Sequence, residues 1–238
     1  MSPSPPRSGR PGVGALLLDA LGTLVSLEPL APRLREQLAM RFGVDVSEAQ
    51  AEQAIAAEIS FYRLHLQRGK DPESLARLRR GCAQVLLDAL PPSAPLGRVD
   101  LEQMTAVLLA SLQFSVFDDV RPALAAARRS GRRLVVVSNW DVSLHEVLAR
   151  LGVDALVDGI LTSAEFGERK PSPSIFLRAL EIAGVPAPKA LHVGDSLEED
   201  VAGARAAGIE AVLLVRPGSP VPRGVHVISS LQELERGP

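Results

Sequence analysis

The sequence predicts an α/β fold: a doubly wound parallel-sheet (Rossmann-like) core with an inserted all-helical segment. Three observations predict it. An apolar run, Ala15-Leu16-Leu17-Leu18, stops at Asp19 and is followed by Gly22-Thr23, as a strand buried on both faces does. From Glu28 to Ser115 the chain is rich in Ala, Leu, Arg, Glu and Gln, with apolar positions at helical spacing. From Val116 to Pro238, strand-like and helix-like stretches alternate, which implies parallel strands with helices on both faces. The expected boundaries are 1–14 for a flexible N-terminal tail, 15–27 with 116–238 for the core, and 28–115 for the helical insert.

Each element has a local reason. The run from Val13 to Val25 is too short for a helix, so it reads as the first strand. In the insert, Leu34, Leu38 and Phe42 mark one helical face, and Ala54, Ile55, Ile59, Tyr62 and Leu66 another. Breaks at Gly43, at Gly69 to Pro72 and at Pro91-Pro92 divide it into helices over about 32–42, 48–68, 72–90 and 100–114. Pro72 directly after Asp71 is a strong helix start. No strand is expected within the insert. Beyond it, strands are expected at 133–138, 159–162, 190–193, 211–215 and 225–228. Helices are expected at 122–130, 143–151, 173–183 and 197–207.

Composition narrows the function. Apolar residues make up 46% of the 238 positions and charged residues 23%, so the chain can build a real core. The 26 basic and 28 acidic residues leave a net charge of -2, which favours neither nucleic acid nor an anionic membrane. Aromatic residues, at 3%, are too few for base-stacking platforms. No apolar run reaches the roughly 20 residues of a membrane span. The Pro-, Ser-, Gly- and Arg-rich start lacks the order of a signal peptide, because Asp19 interrupts the apolar stretch after it. The single cysteine, Cys82, makes no internal disulfide. A cytoplasmic location is expected.

In open parallel sheets, ligands bind beyond the carboxyl ends of the strands. There the sequence places Asp19 to Thr23, then Ser138-Asn139-Trp140-Asp141, then Ser163, Glu165, Gly167 and Lys170, and finally Gly194-Asp195-Ser196 with Asp200 beyond. Carboxylates with one ammonium suit a magnesium ion and a phosphate. Any one of these aspartates alone would pass as a turn-former or helix cap; acids at successive strand ends do not.

These residues carry a resemblance. The stretches LLLDALGTL (16–24), VVVSNWD (135–141), GERKPSPSIF (167–176) and HVGDSLEEDVAGARAAGI (192–209) resemble, in order and spacing, the haloacid dehalogenase-like (HAD) hydrolase superfamily. The branch is the one with a helical cap inserted after the first strand. The resemblance implies that Asp19 is the nucleophile, forming an aspartyl-phosphate, and that Thr23 helps position its loop. It implies that Ser138 and the Asn139 amide hold phosphoryl oxygens and that Lys170 neutralises nucleophile and phosphate. Asp19, the Leu21 backbone carbonyl and Asp195 would bind Mg2+, with Asp200 and Ser196 supporting them. The implied partner is a small phosphorylated metabolite, not nucleic acid or membrane, and the protein a monomer or homodimer.

One departure matters. Phosphatases of this superfamily usually carry a second aspartate two residues after the nucleophile, which protonates the leaving oxygen; here that position is Leu21. Good leaving groups, such as acyl or aryl phosphates, are then favoured over alkyl esters. A 2-haloacid dehalogenase also fits a non-acidic residue there, but such enzymes usually have tyrosine at this place and lack the Gly194-Asp195 pair. A catalytically silent ligand- or partner-binding protein is the third reading, against which stand Asp19, Lys170, Asp195 and Asp200 together.

Other polar residues read as structural. Trp140 fits pocket lining and packing equally. Asp141 is expected to cap the helix near Ser143, and His145 to be solvated or packed. His192 is expected to be a core histidine, Arg63 and His65, on a helix with Tyr62, a solvated face, as are Arg77, Arg79 and Arg80, and Cys82 a packing residue.

Overall fold

The computed structural model describes residues 12–216, apart from 93, 95 and 98, together with 222 and 224–235. Most of the expected N-terminal tail therefore lies outside the described residues. Along the chain come β1 (Ala15–Leu18), β2 (Val25–Leu27), α1 (Leu30–Phe42), α2 (Glu48–His65), α3 (Pro72–Ala89), α4 (Leu101–Ser111) and β3 (Phe114–Val116). Then follow α5 (Val120–Arg129), β4 (Arg133–Ser138), α6 (Leu144–Arg150), β5 (Gly159–Thr162), α7 (Ser163–Phe166) and α8 (Pro173–Ala183). The last elements are β6 (Ala190–Gly194), a π-helical turn (Leu197–Ala202), α9 (Gly203–Ala206), β7 (Glu210–Leu214) and β8 (Val227–Ile228).

Six strands form one parallel sheet in the order β5-β4-β1-β6-β7-β8. The chain builds outward from β1 in one direction through β4 and β5, then in the other through β6, β7 and β8. That makes β1 the switch point, and in open α/β sheets ligands bind beyond the carboxyl ends of the strands at such a point. The central strands are apolar on both faces: every residue of β1 and β6 is buried. On one side Leu17, Val135 and Val137 pack with Phe176 and Ala179 of α8 and Ala204 of α9.

The chain divides into two compact units. The first comprises residues 1–26, 116–139 and 145–238, and the second 27–115 with 140–144. In the second, α1 packs on α2 and α4, and α3 on α2 and α4. Its core gathers Leu34, Leu38, Ala54, Leu86 and Met104, with Cys82 buried among them. Capping boxes start α2, α3 and α4: Ser47 with Gln50, Asp71 with Ser74 ahead of Pro72, and Asp100 with Gln103.

One expectation in this region needs correction. The fourth helix stops at Ser111 rather than Phe114, and Phe114–Val116 instead pairs with Val25–Leu27 as a two-stranded ribbon. Three-residue strands carry too little alternation to be read from sequence. Tyr62, one of the apolar-face positions of α2, is half-buried: its hydroxyl donates to Asp141 Oδ2 at 3.0 Å, and burial raises its pKa well above the usual value. Asp141 Oδ1 also accepts from the Ser143 amide at 2.7 Å, the turn-capping role expected of it. Trp140 is buried and its ring packs 5.2 Å from that of Phe114. Among the described residues no helix is long and apolar enough to cross a membrane.

Candidate active site

Asp19, Thr23, Ser138, Asn139, Lys170, Asp195, Ser196 and Asp200 all lie in the sheet-bearing unit, whereas Trp140 and Asp141 belong to the other. Asp19 follows β1 directly, and its amide donates to the Val193 carbonyl of β6 at 2.9 Å. The chain then turns tightly: the amides of Thr23, Leu24 and Val25 all bond to the Ala20 carbonyl. Ser138 ends β4, and its hydroxyl donates to Asp19 Oδ1 at 3.2 Å. Gly194 ends β6 and delivers Asp195 to the same edge.

Lys170 joins these pieces. Its side chain is 1% exposed, and Nζ donates to Asp19 Oδ1 at 2.5 Å and to Asp200 Oδ1 at 2.6 Å. Asn139 fixes the lysine's backbone from both sides: its Nδ2 donates to the Lys170 carbonyl at 3.0 Å, and its Oδ1 accepts from the Lys170 amide at 2.8 Å. Asp200 is held by His192 Nε2 at 2.9 Å and by the Ser196 amide at 3.0 Å. Ser196 Oγ in turn accepts from the Glu199 amide, capping the π-helical turn.

The electrostatics follow from burial. Desolvation pushes the Asp19 carboxyl up to about 6, against the pull of the Lys170 charge. Burial pulls the Lys170 ammonium down, but the Asp19 and Asp200 charges outweigh it and hold Lys170 above its ordinary value. Burial would likewise raise Asp200, yet Lys170 and His192 hold it well below the usual carboxylate range. Asp195 stands above its ordinary value, because it is partly withdrawn from water and faces the Asp200 charge.

Glycines make the close approaches possible. A Cβ on Gly194 would lie 2.1 Å from Asp200 Cγ, so only glycine lets that carboxylate sit against the strand end. Thr23 Oγ1 is buried with no hydrogen-bond partner among the described residues. Leu21 is 42% exposed and offers no proton.

One oxygen from each of Asp19, Asp195 and Asp200 lies within 4.8 Å of the others. Three carboxylates and one ammonium leave a net charge of about two negatives, and an all-oxygen donor set suits a hard divalent cation. The residues present therefore fit a metal of the Mg2+ class.

The expected residues thus fall into one constellation: Asp19, Ser138, Lys170, Asp195, Asp200 and Ser196, with Asn139 bracing Lys170. Sequence reasoning missed the bond from His192, expected to be a core histidine, to Asp200. Its position eight residues before Asp200 was the only available signal. His145 pairs with Glu165 at 2.8 Å, away from this cluster's hydrogen bonds.

Comparisons with known proteins agree with this geometry. The family model of haloacid dehalogenase-like hydrolases matches residues 13–208. The human haloacid dehalogenase-like hydrolase domain-containing protein 3 is 38% identical over 127 residues, 51% of either chain. A glyceraldehyde 3-phosphate phosphatase of Methanopyrus kandleri is 38% identical over 101 residues, 42% of this chain and 43% of that one. The chain spans about half the length of the curated relatives it matches. Among solved structures, a HAD phosphatase from Thermococcus onnurineus superposes with a TM-score of 0.65 at 26% identity, covering 93% of this chain and 96% of that one. A 2-haloacid dehalogenase from Pseudomonas syringae superposes equally well, at 0.65 over 94% and 97% of the chains. Its 24% identity speaks for the fold alone. Fold, acidic cluster and family model together place the chain in the haloacid dehalogenase-like hydrolases.

Proposed function

We propose that the protein is a Mg2+-dependent phosphatase acting on a small phosphorylated metabolite through an aspartyl-phosphate on Asp19. One observation carries this reading. Lys170 Nζ bonds Asp19 and Asp200 at once, while Asp195 stands within reach of both. A buried carboxylate beside a fixed ammonium and two further acids can gather and stabilise phosphoryl charge. A phosphatase-named relative at 38% identity points the same way.

Asp19, Asp195 and the Leu21 carbonyl would hold a divalent ion, which would supply charge neutralisation to the phosphoryl group. The chain does the rest. An Asp19 oxygen attacks phosphorus as the bond to the leaving oxygen breaks, and that oxygen departs with the electron pair. Lys170 offsets charge on Asp19 and the phosphoryl oxygens; Ser138 Oγ and the Asn139 amide hold two of those oxygens. Water then attacks the aspartyl-phosphate, releasing phosphate and restoring Asp19. With Leu21 in place of an acid, the leaving oxygen takes its proton from solvent, so low-pKa leaving groups are preferred. The helical unit supplies the choice of substrate.

The test is a panel of phosphate monoesters and acyl phosphates assayed with Mg2+ and with chelator, beside Asp19→Asn. Mg2+-dependent release of phosphate that Asp19→Asn abolishes is the expected result. Metal-independent halide release from 2-haloacids overturns it in favour of a dehalogenase.

A further inference from the structure

Arg216 stands two residues beyond β7, at the carboxyl edge of the sheet, and belongs to none of the motifs that carry the family resemblance. Its side chain is 18% exposed. Nη1 donates to both Asp119 carboxylate oxygens, each at 2.8 Å. Nη2 donates to the Thr23 carbonyl at 2.5 Å, and Nε reaches the Gly22 carbonyl at 3.5 Å. The guanidinium also lies 3.9 Å from the Phe117 ring centroid. Asp119 is itself pinned by the Ser230 hydroxyl at 3.0 Å and the Leu231 amide at 2.8 Å. The next carbonyl, that of Leu24, accepts from the Phe117 amide at 3.3 Å.

Three consecutive carbonyls of the nucleophile loop, 22 to 24, are thus tied to one arginine and its neighbour. The loop needs such a restraint. Gly22 sits at φ +81°, and its Cα faces the Asp195 carboxylate so closely that a Cβ would lie 2.0 Å from Oδ2. Displacing this turn shifts Asp19 and the Leu21 carbonyl relative to Asp195. Only a planar fork with several donors can grip a carboxylate and two carbonyls at once; an ammonium on a flexible stem cannot.

We propose that Arg216 is a positioning residue: acting through the Gly22 and Thr23 carbonyls, it sets the register of the nucleophile loop against Asp195. The consequence for metal binding rests on the phosphatase reading; the effect on the loop does not.

The experiment compares wild type, Arg216→Lys and Arg216→Gln by two readouts. The first is amide hydrogen exchange of the 19–25 segment, with β4 and β6 as internal references. The second is Mn2+ binding by paramagnetic resonance. Arg216→Lys retains a charge for Asp119, so it is expected to recover thermal stability lost in Arg216→Gln. Both variants are expected to exchange the loop amides at least about tenfold faster and to bind Mn2+ about tenfold more weakly. Unchanged loop exchange in Arg216→Lys, or full recovery of Mn2+ affinity by lysine, overturns the proposal and leaves Arg216 a mere ion-pair partner of Asp119. Wild type that binds no Mn2+ refutes the metal-dependent phosphatase instead, and loop exchange alone then decides the role of Arg216.

Discussion

Gly22 and Asp195 are in such close contact that the carboxylate fills the space where a side chain on Gly22 would begin. A Cβ there would lie 2.0 Å from Asp195 Oδ2 and 2.7 Å from its Cγ, and the backbone at Gly22 is left-handed, with φ +81°. The conformation of the loop after Asp19 and the placement of the Asp195 carboxylate are therefore one geometric fact.

Gly22→Ala is expected to fail on both counts. The left-handed backbone costs an alanine about 1 kcal/mol or more, and the methyl group must displace the Asp195 carboxylate. The variant should fold with a lowered melting temperature, bind Mn2+ weakly and lose most activity. Calorimetry with metal titration checks this. Wild-type metal affinity in Gly22→Ala would mean that the Asp195 carboxylate is free to sit elsewhere.

Lys170 is the counter-charge of the site, so removing it strands two buried acids. Lys170→Met leaves Asp19 and Asp200 without the ammonium that each now bonds. Breaking a buried ion pair from one side typically costs about 3–5 kcal/mol. Urea unfolding at neutral pH should show a loss of that order, and the double variant Lys170→Met/Asp200→Asn should regain part of it. A double variant no more stable than the single one would show that Asp200 carries no unpaired charge.

Burial of Asp19 has a pH signature. Its carboxyl titrates near 6 in the folded protein against an ordinary 3.8, so folding favours its protonated form. The penalty for ionising it is absent below the unfolded value and complete above the folded one. Stability referred to Asp19→Asn should therefore fall as pH rises from about 4 to above 6. In chelator, Asp19→Asn should be more stable than wild type at neutral pH by up to about 3 kcal/mol, and equal to it in acid. Denaturant titrations across that range check the sign; a difference that shrinks with rising pH contradicts the assignment.

The strand-end acids were legible because an apolar run that halts at a carboxylate is a local pattern. Asp19 after the buried run Ala15-Leu16-Leu17-Leu18 and Asp195 after His192-Val193-Gly194 needed only neighbours in sequence. The sheet and the four helices of the insert were legible through periodicity and the Asp71-Pro72 start. The contacts of Arg216 with Thr23, 193 residues away, and of Tyr62 with Asp141, 79 away, have no local signature. His192 was visible only as an apolar-strand member, because its partner Asp200 arrives through the π-helical turn. The ribbon of β2 and β3 escaped for want of length.

Leu21 makes the sharpest chemical prediction. It is 42% exposed on the loop between Asp19 and Gly22, so an acid there would reach solvent and substrate without a burial cost. General acid catalysis is typically worth about 10²–10⁴ in rate, and it matters most when the leaving oxygen is a poor one. Leu21→Asp is therefore expected to speed hydrolysis of alkyl phosphates by a factor in that range. It should change p-nitrophenyl phosphate and acetyl phosphate little, since those leaving groups depart unprotonated. The slope of log kcat/KM against leaving-group pKa should flatten accordingly. An equal gain on every substrate would point to altered metal binding instead, and no gain on alkyl esters that wild type already hydrolyses well would show that another group donates the proton.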